Sequence, residues 1–534
     1  MKRKQTILIF TLIVLLITSV SIVGIAEKEV ERKEGCTDIV VGKAASTDGS
    51  VITSHTCDGR YDSRIQIIPA ADHEEGAMAP VYEWIIYADH MELEKLGEIP
   101  QVEHTYKYFN VAYPCANEHQ VIIGETTLGG ASETKNSDEA IMTIEQLEVF
   151  ALQRATTARE TIQIMGDLAV KYGFRESCWL GECLTVTDPD EAWVFEVYGA
   201  GPLWSPESGE PGAVWCAQRV PDDHITCVPN MSRIAEIDPD DTDNFMVCDN
   251  YIDTAVELGL YDPDSGDPFI WREIYGGVHD AYWGLGCRAR IWRVYNTLAP
   301  SKHWALENAP DYPFSIKPEK KVSYQDVIDL FRETYAGTEL DMTEDPDWYV
   351  KNDGEWVKSP LATPQVDGTW RDLLDITYYR PIARYYCSYY FVSQARDWMP
   401  PEIGGVMWFG LDNPENSPFI PVYTGVESVP QSWKHLDRDK LDRESAWWAF
   451  GLVDDLVNRR YQDLKPELDE TLMPMQEDLF AMQDAIELAA LDLYESDPEL
   501  AKEFLTNYTS SMMEKAEEKY WELVDHFMFK LNNN

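Results

Sequence analysis

An α+β fold is predicted from three observations. From Cys36 to about Thr424 the chain is a succession of short β-type runs separated by Gly, Pro, Asn and Asp. Helical patterns interrupt these runs without alternating regularly with them, so no βαβ repeat is implied. From Asp442 to Lys530 the composition turns to Glu, Leu, Ala and Met with few breakers, which marks a helical tail.

The amino-terminal segment has the order of an export signal. Lys2, Arg3 and Lys4 precede an apolar run from Thr6 to Ala26, and a charged stretch then runs from Glu27 to Gly35. Gly24 and Ala26 supply small residues for cleavage, which makes residues 1–26 a signal peptide. A run of roughly 20 apolar residues is also long enough to remain as a membrane anchor, tethering the chain through residues 6–26. Either way the mature chain is expected outside the cytoplasm, secreted or held at the outer face. A lipoprotein is disfavoured, because EKEVERKEG separates the apolar run from Cys36. Residues 27–35 then read as a short propeptide. A second cut, between Gly35 and Cys36, is needed to leave the cysteine at a new amino terminus, and the Cys36 thiolate is the simplest agent for it.

After the leader, Ile39 to Val41, Val51 to Ser54, Ile65 to Ile68, Val121 to Gly124, Leu184 to Val186, Trp193 to Val197 and Val406 to Phe409 read as strands. Helical spacing covers Thr143 to Ala155, with Thr143 three residues before Gln146 as a capping-box candidate. It recurs over Ala158 to Tyr172, Cys248 to Leu258 and Tyr324 to Tyr335. The tail, with Trp447, Phe450, Val453, Leu456 and Val457 at helical intervals, predicts two or three amphipathic helices. The expected organisation is a catalytic domain over residues 36–434 and a helical extension over 435–534 packed on it. A homo-oligomer is also expected, with the tail as an alternative dimer surface.

Composition excludes several classes. With 94 acidic against 44 basic residues and a net charge of −50, the chain is repelled by phosphate backbones, so no nucleic acid partner is expected. An aromatic content of 12% and a hydrophobic content of 44% predict a well-packed globule. The acidic loops Asp238, Asp240, Asp241, Asp243 and Asp262, Asp264, Asp267 lack the EF-hand order of ligands and glycine. Ten cysteines in an exported chain permit disulfides, with Cys178 and Cys183, or two of Cys216, Cys227 and Cys248, as candidates. There is no CxxC pair, HExxH helix, GxSxG elbow or GxxxxGK[ST] loop. No metal or organic cofactor is implied.

A cysteine at a freed amino terminus carries its own base, because an α-amine of pKa about 7.7–8.0 exchanges protons near neutrality. The ordered motifs CTDIVVGKAASTDGSVITSHTCD, NEHQVIIGE, VPNMSRI and CRARIWR resemble those of the C69 dipeptidase family, related to conjugated bile acid hydrolase and penicillin V acylase. The resemblance spans nearly the whole mature chain and implies the four-layer αββα sandwich of the N-terminal nucleophile hydrolases. It implies a nucleophile at Cys36 and an acidic partner of its amine at Asp58, which also suits an ordinary turn before Gly59. Asn117 matches an asparagine beside the scissile amide, and Asn230 one counted with the oxyanion hole, where losing a donor costs about 100- to 1000-fold in rate. Arg290 matches an arginine near the nucleophile that favours the thiolate, with Arg288 as the alternative and Arg293 one helical turn on. His55 stands where many relatives carry an arginine three residues before the acid, beside an unusual Cys57. It is a second candidate base.

The expected function is hydrolysis of short peptides, dipeptides foremost, through a thioester on Cys36. Two alternatives stay open: an acylase of non-peptide amides of bile-acid or penicillin type, and a membrane-tethered acidic binding protein with a decayed site.

Overall fold

The computed structural model describes residues 35–83, 93–175, 179–276 and 280–533. The expected signal segment, residues 1–26, the expected propeptide of residues 27–35 except Gly35, and Cys178 lie outside these. Among the described residues no helix is long and apolar enough to cross a membrane.

Two antiparallel sheets organise the α+β chain. The first has six strands in the order Ile225–Val228, Gly35–Val41, Ser54–Asp58, Cys387–Gln394, Val406–Leu411, Ile420–Tyr423. The second has eight, in the order Phe245–Val247, Ala213–Val220, Ala192–Gly199, Gly181–Thr187, Ile122–Leu128, Ala116–Asn117, Tyr108–Asn110, Gln66–Ile68. The long central strands of both are buried at every position. Burial on both faces is why they do not alternate between apolar residues facing a core and polar residues facing solvent. The expected run Val51 to Ser54 is displaced: Val51 and Ile52 form only isolated bridges and the strand proper is Ser54–Asp58.

The sheets meet face to face along a polar seam. Thr53 and Thr185 share a hydrogen bond of 2.7 Å, and Thr185 Oγ1 donates to Asp38 Oδ2 at 3.0 Å. The approach is tight at Gly124, where a Cβ would lie 2.7 Å from Asp38 Oδ2 and 2.8 Å from the Ser54 carbonyl oxygen. Only glycine allows that closeness.

Helices cover the outer faces. Ala158–Tyr172 lies across the eight-stranded sheet and packs against Ile144–Leu152, which is buried along its whole length. Thr143 caps the latter by accepting from Gln146 N–H. The Gln146 side chain accepts instead from Tyr82 N–H at 2.8 Å, so only half of the expected capping box forms. The tail is three helices, Ala446–Arg459, Tyr461–Ser496 and Pro498–Asn533, of which the first and third pack on the six-stranded sheet. Gln476 brackets the backbone of Phe419 at 2.8 and 3.0 Å, and Glu487 pairs with Arg396 at 2.8 Å. Glu34–Asn534 forms one compact unit.

No disulfide forms among the described cysteines. Cys36, Cys57, Cys115, Cys183, Cys216, Cys227, Cys248, Cys287 and Cys387 are free, buried thiols. This corrects the expected pairings: Cys227 belongs to the six-stranded sheet and Cys216 to the eight-stranded one, while Cys248 accepts from Trp215 N–H at 3.2 Å. These thiols behave as small hydrophobic residues.

Candidate active site

The site is built on the hairpin of Gly35–Val41 and Ser54–Asp58, paired Gly35 to Asp58, Cys36 to Cys57 and Thr37 to Thr56. Because side chains alternate along a strand, this register divides the hairpin into two faces. Cys36, Asp38, His55 and Cys57 point toward the eight-stranded sheet, whereas Thr37, Thr56 and Asp58 point the other way.

The Cys36 thiol donates to Glu125 Oε2 at 3.2 Å. Glu125 also accepts from Thr127 Oγ1 at 3.1 Å and hydrogen-bonds the Glu182 carboxyl, and burial pushes its own carboxyl up to about 6. Burial likewise raises the Cys36 thiol well above its usual range, helped by its hydrogen bond with Cys57 and the nearby charge of Glu125. Burial and then the charge of Glu125 raise Asp38 in the same way. His55 is neutral, its pKa lowered to about 3 by burial. Its Nδ1 accepts from Glu125 N–H at 3.3 Å and lies 3.2 Å from Asp38 Oδ1. Donor atoms of Cys36, His55 and Glu125 lie within 4.8 Å of one another. Two of these donors, Cys36 Sγ and Glu125 Oε2, are already joined to each other by a hydrogen bond.

The opposite face is ionic. Arg380 Nη2 donates to Asp58 Oδ2 at 2.6 Å, with both side chains buried. Asn230 follows the Ile225–Val228 strand and Pro229 with φ of +59°, a left-handed conformation that asparagine tolerates. Its Oδ1 accepts the Cys36 amide N–H at 3.0 Å and Arg290 Nη1 and Nη2 at 3.2 Å each. Arg290, on the helix Asp280–Leu298, also donates to the Cys36 carbonyl oxygen and, at 2.8 Å, to Thr37 Oγ1. Its neighbour Arg288 is half-buried, and Arg293 pairs with Glu333 at 2.6 Å. Gly35, across the peptide bond from Cys36, has φ of +146°. A Cβ there would lie 2.3 Å from Arg380 Nη1.

Of the residues expected from sequence, Cys36, Asp58, Asn230 and Arg290 are brought together and Asn117 is not. The Asn117 Nδ2 donates to the carbonyls of Leu152 (3.0 Å) and Ala155 (2.9 Å), and its Oδ1 accepts from His119 and Val121 N–H at 2.9 and 3.1 Å. Every donor of this amide is engaged in holding a turn. Three roles differ from expectation. Arg290 grips the Cys36 carbonyl, not the sulfur, and does not depress the thiol pKa. Asp58 faces away from the thiol. The Asn230 amide donates to the Thr127 carbonyl at 3.0 Å, so its oxygen rather than its NH₂ meets Cys36. Glu125 and Arg380 were not anticipated. Glu125 could have been flagged as a lone acid inside the apolar run VIIGE, whereas Arg380 carries no local signal.

The profile of peptidase family C69 matches residues 35–473, beginning one residue before Cys36 and taking in every residue of the cluster. The chain belongs to peptidase family C69. Relatives include a "Probable dipeptidase" of Latilactobacillus sakei, 24% identical over 80% of this chain and 82% of that protein. "Dipeptidase A" of Lactobacillus helveticus is 23% identical over 81% and 83%. "Probable dipeptidase B" of Streptococcus pyogenes serotype M1 is 21% identical over 88% and 87%. For a C69 peptidase the cluster has a nucleophile-type residue, a hydrogen-bonded acid beside it and two guanidinium groups around its backbone, which are components for acyl transfer.

Proposed function

We propose that this C69 peptidase is an exported cysteine dipeptidase of the N-terminal nucleophile class, matured by self-cleavage between Gly35 and Cys36. The observation that carries the reading is the convergence on one peptide unit: Asn230 on the Cys36 nitrogen, Arg290 on its carbonyl, Glu125 on its sulfur, and Arg380 with Asp58 against Gly35. The layering of two facing sheets between helices supports an αββα sandwich. The relatives' names support dipeptides as substrates.

In this reading the cut converts the Cys36 amide into an amine. Asp58, across the hairpin and joined to Arg380, orients this amine and stabilises the ammonium group it becomes on taking up a proton. The free amine accepts the thiol proton, the thiolate attacks the dipeptide carbonyl, and the amine returns the proton to the leaving amino acid. Arg290 and Asn230 hold the nucleophile's backbone so that the sulfur keeps one approach direction. Water then hydrolyses the thioester. Because Cys36 is fully buried in the uncut chain, removal of the preceding residues also has to open the pocket. The apolar run of residues 6–26 directs export.

The test pairs the mature amino terminus with turnover. Wild type is expected to begin at Cys36 and to hydrolyse dipeptides, while Cys36→Ala keeps residues 27–35 and loses turnover by about 10⁵-fold. Full dipeptide hydrolysis by a chain still extended beyond Cys36 refutes the mechanism.

A further inference from the structure

We propose that Glu125 is the base of maturation, taking the Cys36 thiol proton when the chain cuts itself. The inference rests on the nucleophile and self-cleavage reading above and assigns the one step that reading leaves without an agent. Before the cut the Cys36 nitrogen is an amide bonded to Gly35 and donates to Asn230, so it has no basic lone pair. The intrinsic base of this enzyme class therefore does not exist at the moment when the thiol first has to be activated.

Of the ionisable groups that surround the thiol among the described residues, Glu125 is the one that receives its S–H as a carboxylate. Cys57 is itself a raised thiol and accepts no proton at neutrality. His55 uses Nδ1 toward Glu125 N–H and Asp38 and is strongly disfavoured as a cation. Asp38 and Glu148 are raised well above the carboxylate range by burial and the charge of Glu125, so they hold their protons. Glu125 is the carboxylate that receives the S–H, at 3.2 Å, and Thr127 at 3.1 Å fixes its other oxygen.

The step balances without an outside reagent except water. The proton passes from Sγ to Glu125 Oε2, and the thiolate attacks the Gly35 carbonyl carbon. As the C–N bond breaks, the proton held by Glu125 goes to the Cys36 nitrogen, leaving a thioester between Gly35 and Cys36 Sγ and a free amine. Water cleaves the thioester, releasing the Gly35 carboxylate and restoring the thiol. Gly35 is suited to the bond being cut. Its φ of +146° and the 2.3 Å approach of Arg380 to a would-be Cβ exclude a side chain at this position.

The experiment compares two chains, each with Glu125, Glu125→Gln or Glu125→Asp. One is the full chain, whose self-cleavage is timed by intact mass. The other begins with Met directly before Cys36, so that methionine aminopeptidase exposes the cysteine without self-cleavage, and its turnover of Ala-Ala is measured. Glu125→Gln is expected to slow self-cleavage by about 100- to 10,000-fold, as for removal of a general base. Its turnover in the trimmed chain should fall at least about tenfold less than its self-cleavage, because the amine now shares the proton. Glu125→Asp should recover part of the self-cleavage rate. Self-cleavage of Glu125→Gln at the wild-type rate, or equal losses in the two assays, overturns the proposal. An inactive trimmed chain with Glu125 in place sinks the dipeptidase reading instead and leaves the self-cleavage comparison scored by itself.

Discussion

The two faces of the Gly35–Val41 and Ser54–Asp58 hairpin differ in one respect that organises the site: one pairs guanidinium groups with a carboxylate, and the other gathers buried acids and thiols around the sulfur. On the Asp58 face two buried guanidinium groups, Arg290 and Arg380, surround a carboxylate and the Cys36 backbone. On the Cys36 face the acids Asp38, Glu125, Glu148 and Glu182 meet two thiols and an imidazole with no cation beside them among the described residues, and burial drives Asp38, Glu125 and Glu148 upward. Strand alternation produces this separation, since Cys36 and Asp58 sit at positions of opposite parity across the pair. The consequence is that the sulfur lies among acids raised by burial, with Glu125 as its hydrogen-bond partner, while the backbone of Cys36 is gripped by the charged groups of the other face.

The strongest way to break the contrast is to remove charge from the ionic face. Asp58→Asn leaves the Arg380 guanidinium buried without its partner, a change that typically costs roughly 3–5 kcal/mol. Urea denaturation of the full chain is expected to show a loss of that order, with part of it restored in Asp58→Asn/Arg380→Met. Glu125→Gln provides the contrast, because it removes a buried carboxylate that pairs with no cation and is expected to leave stability unchanged or raise it. Equal destabilisation by the two substitutions contradicts the division into faces.

Gly35→Ala probes the junction between them. The new Cβ collides with Arg380 Nη1 in a backbone conformation that alanine avoids, so the scissile carbonyl has to move. Misplacement of a reacting group by about 1 Å costs on the order of 100-fold, and that is the expected loss in self-cleavage followed by intact mass. Cleavage at the ordinary rate shows that the Gly35 geometry is not used.

What could be read from the sequence follows the range of the interactions involved. Helix Ala158–Tyr172 was recoverable to the residue, because its apolar spacing and Thr157 cap are local. The hairpin and Cys36 were legible because strand, turn and strand are contiguous. Arg290 was found only to within two positions, since helical periodicity alone does not say which arginine faces inward. Arg380 was invisible: its partner Asp58 is 322 residues away and reaches it only through the pairing of Ser54–Asp58 with Cys387–Gln394. For Asn117, a motif position does not reveal that two carbonyls, from Leu152 and Ala155, claim its amide. Glu125 was in view as the last residue of NEHQVIIGE, yet its role depends on which sheet it faces.

His55 gives the smallest effect and the finest test of the Cys36 face. It lies on the same face as the sulfur, and a cation in its place would put positive charge beside Glu125 and Cys36. The ring is nevertheless integrated as an acceptor, receiving Glu125 N–H and lying among Tyr113, Tyr389 and Phe391. With a pKa of about 3 it does not change protonation between pH 5 and 8. His55→Gln keeps an acceptor for that N–H, and turnover of the mature enzyme is expected to change by less than about tenfold, where loss of a general base would cost about 100- to 10,000-fold. The pH–rate profile should keep its shape across this range, because the titrating base is the Cys36 amine. A shifted limb in His55→Gln would move the imidazole into the proton path and show that the Cys36 face gains a cation during turnover.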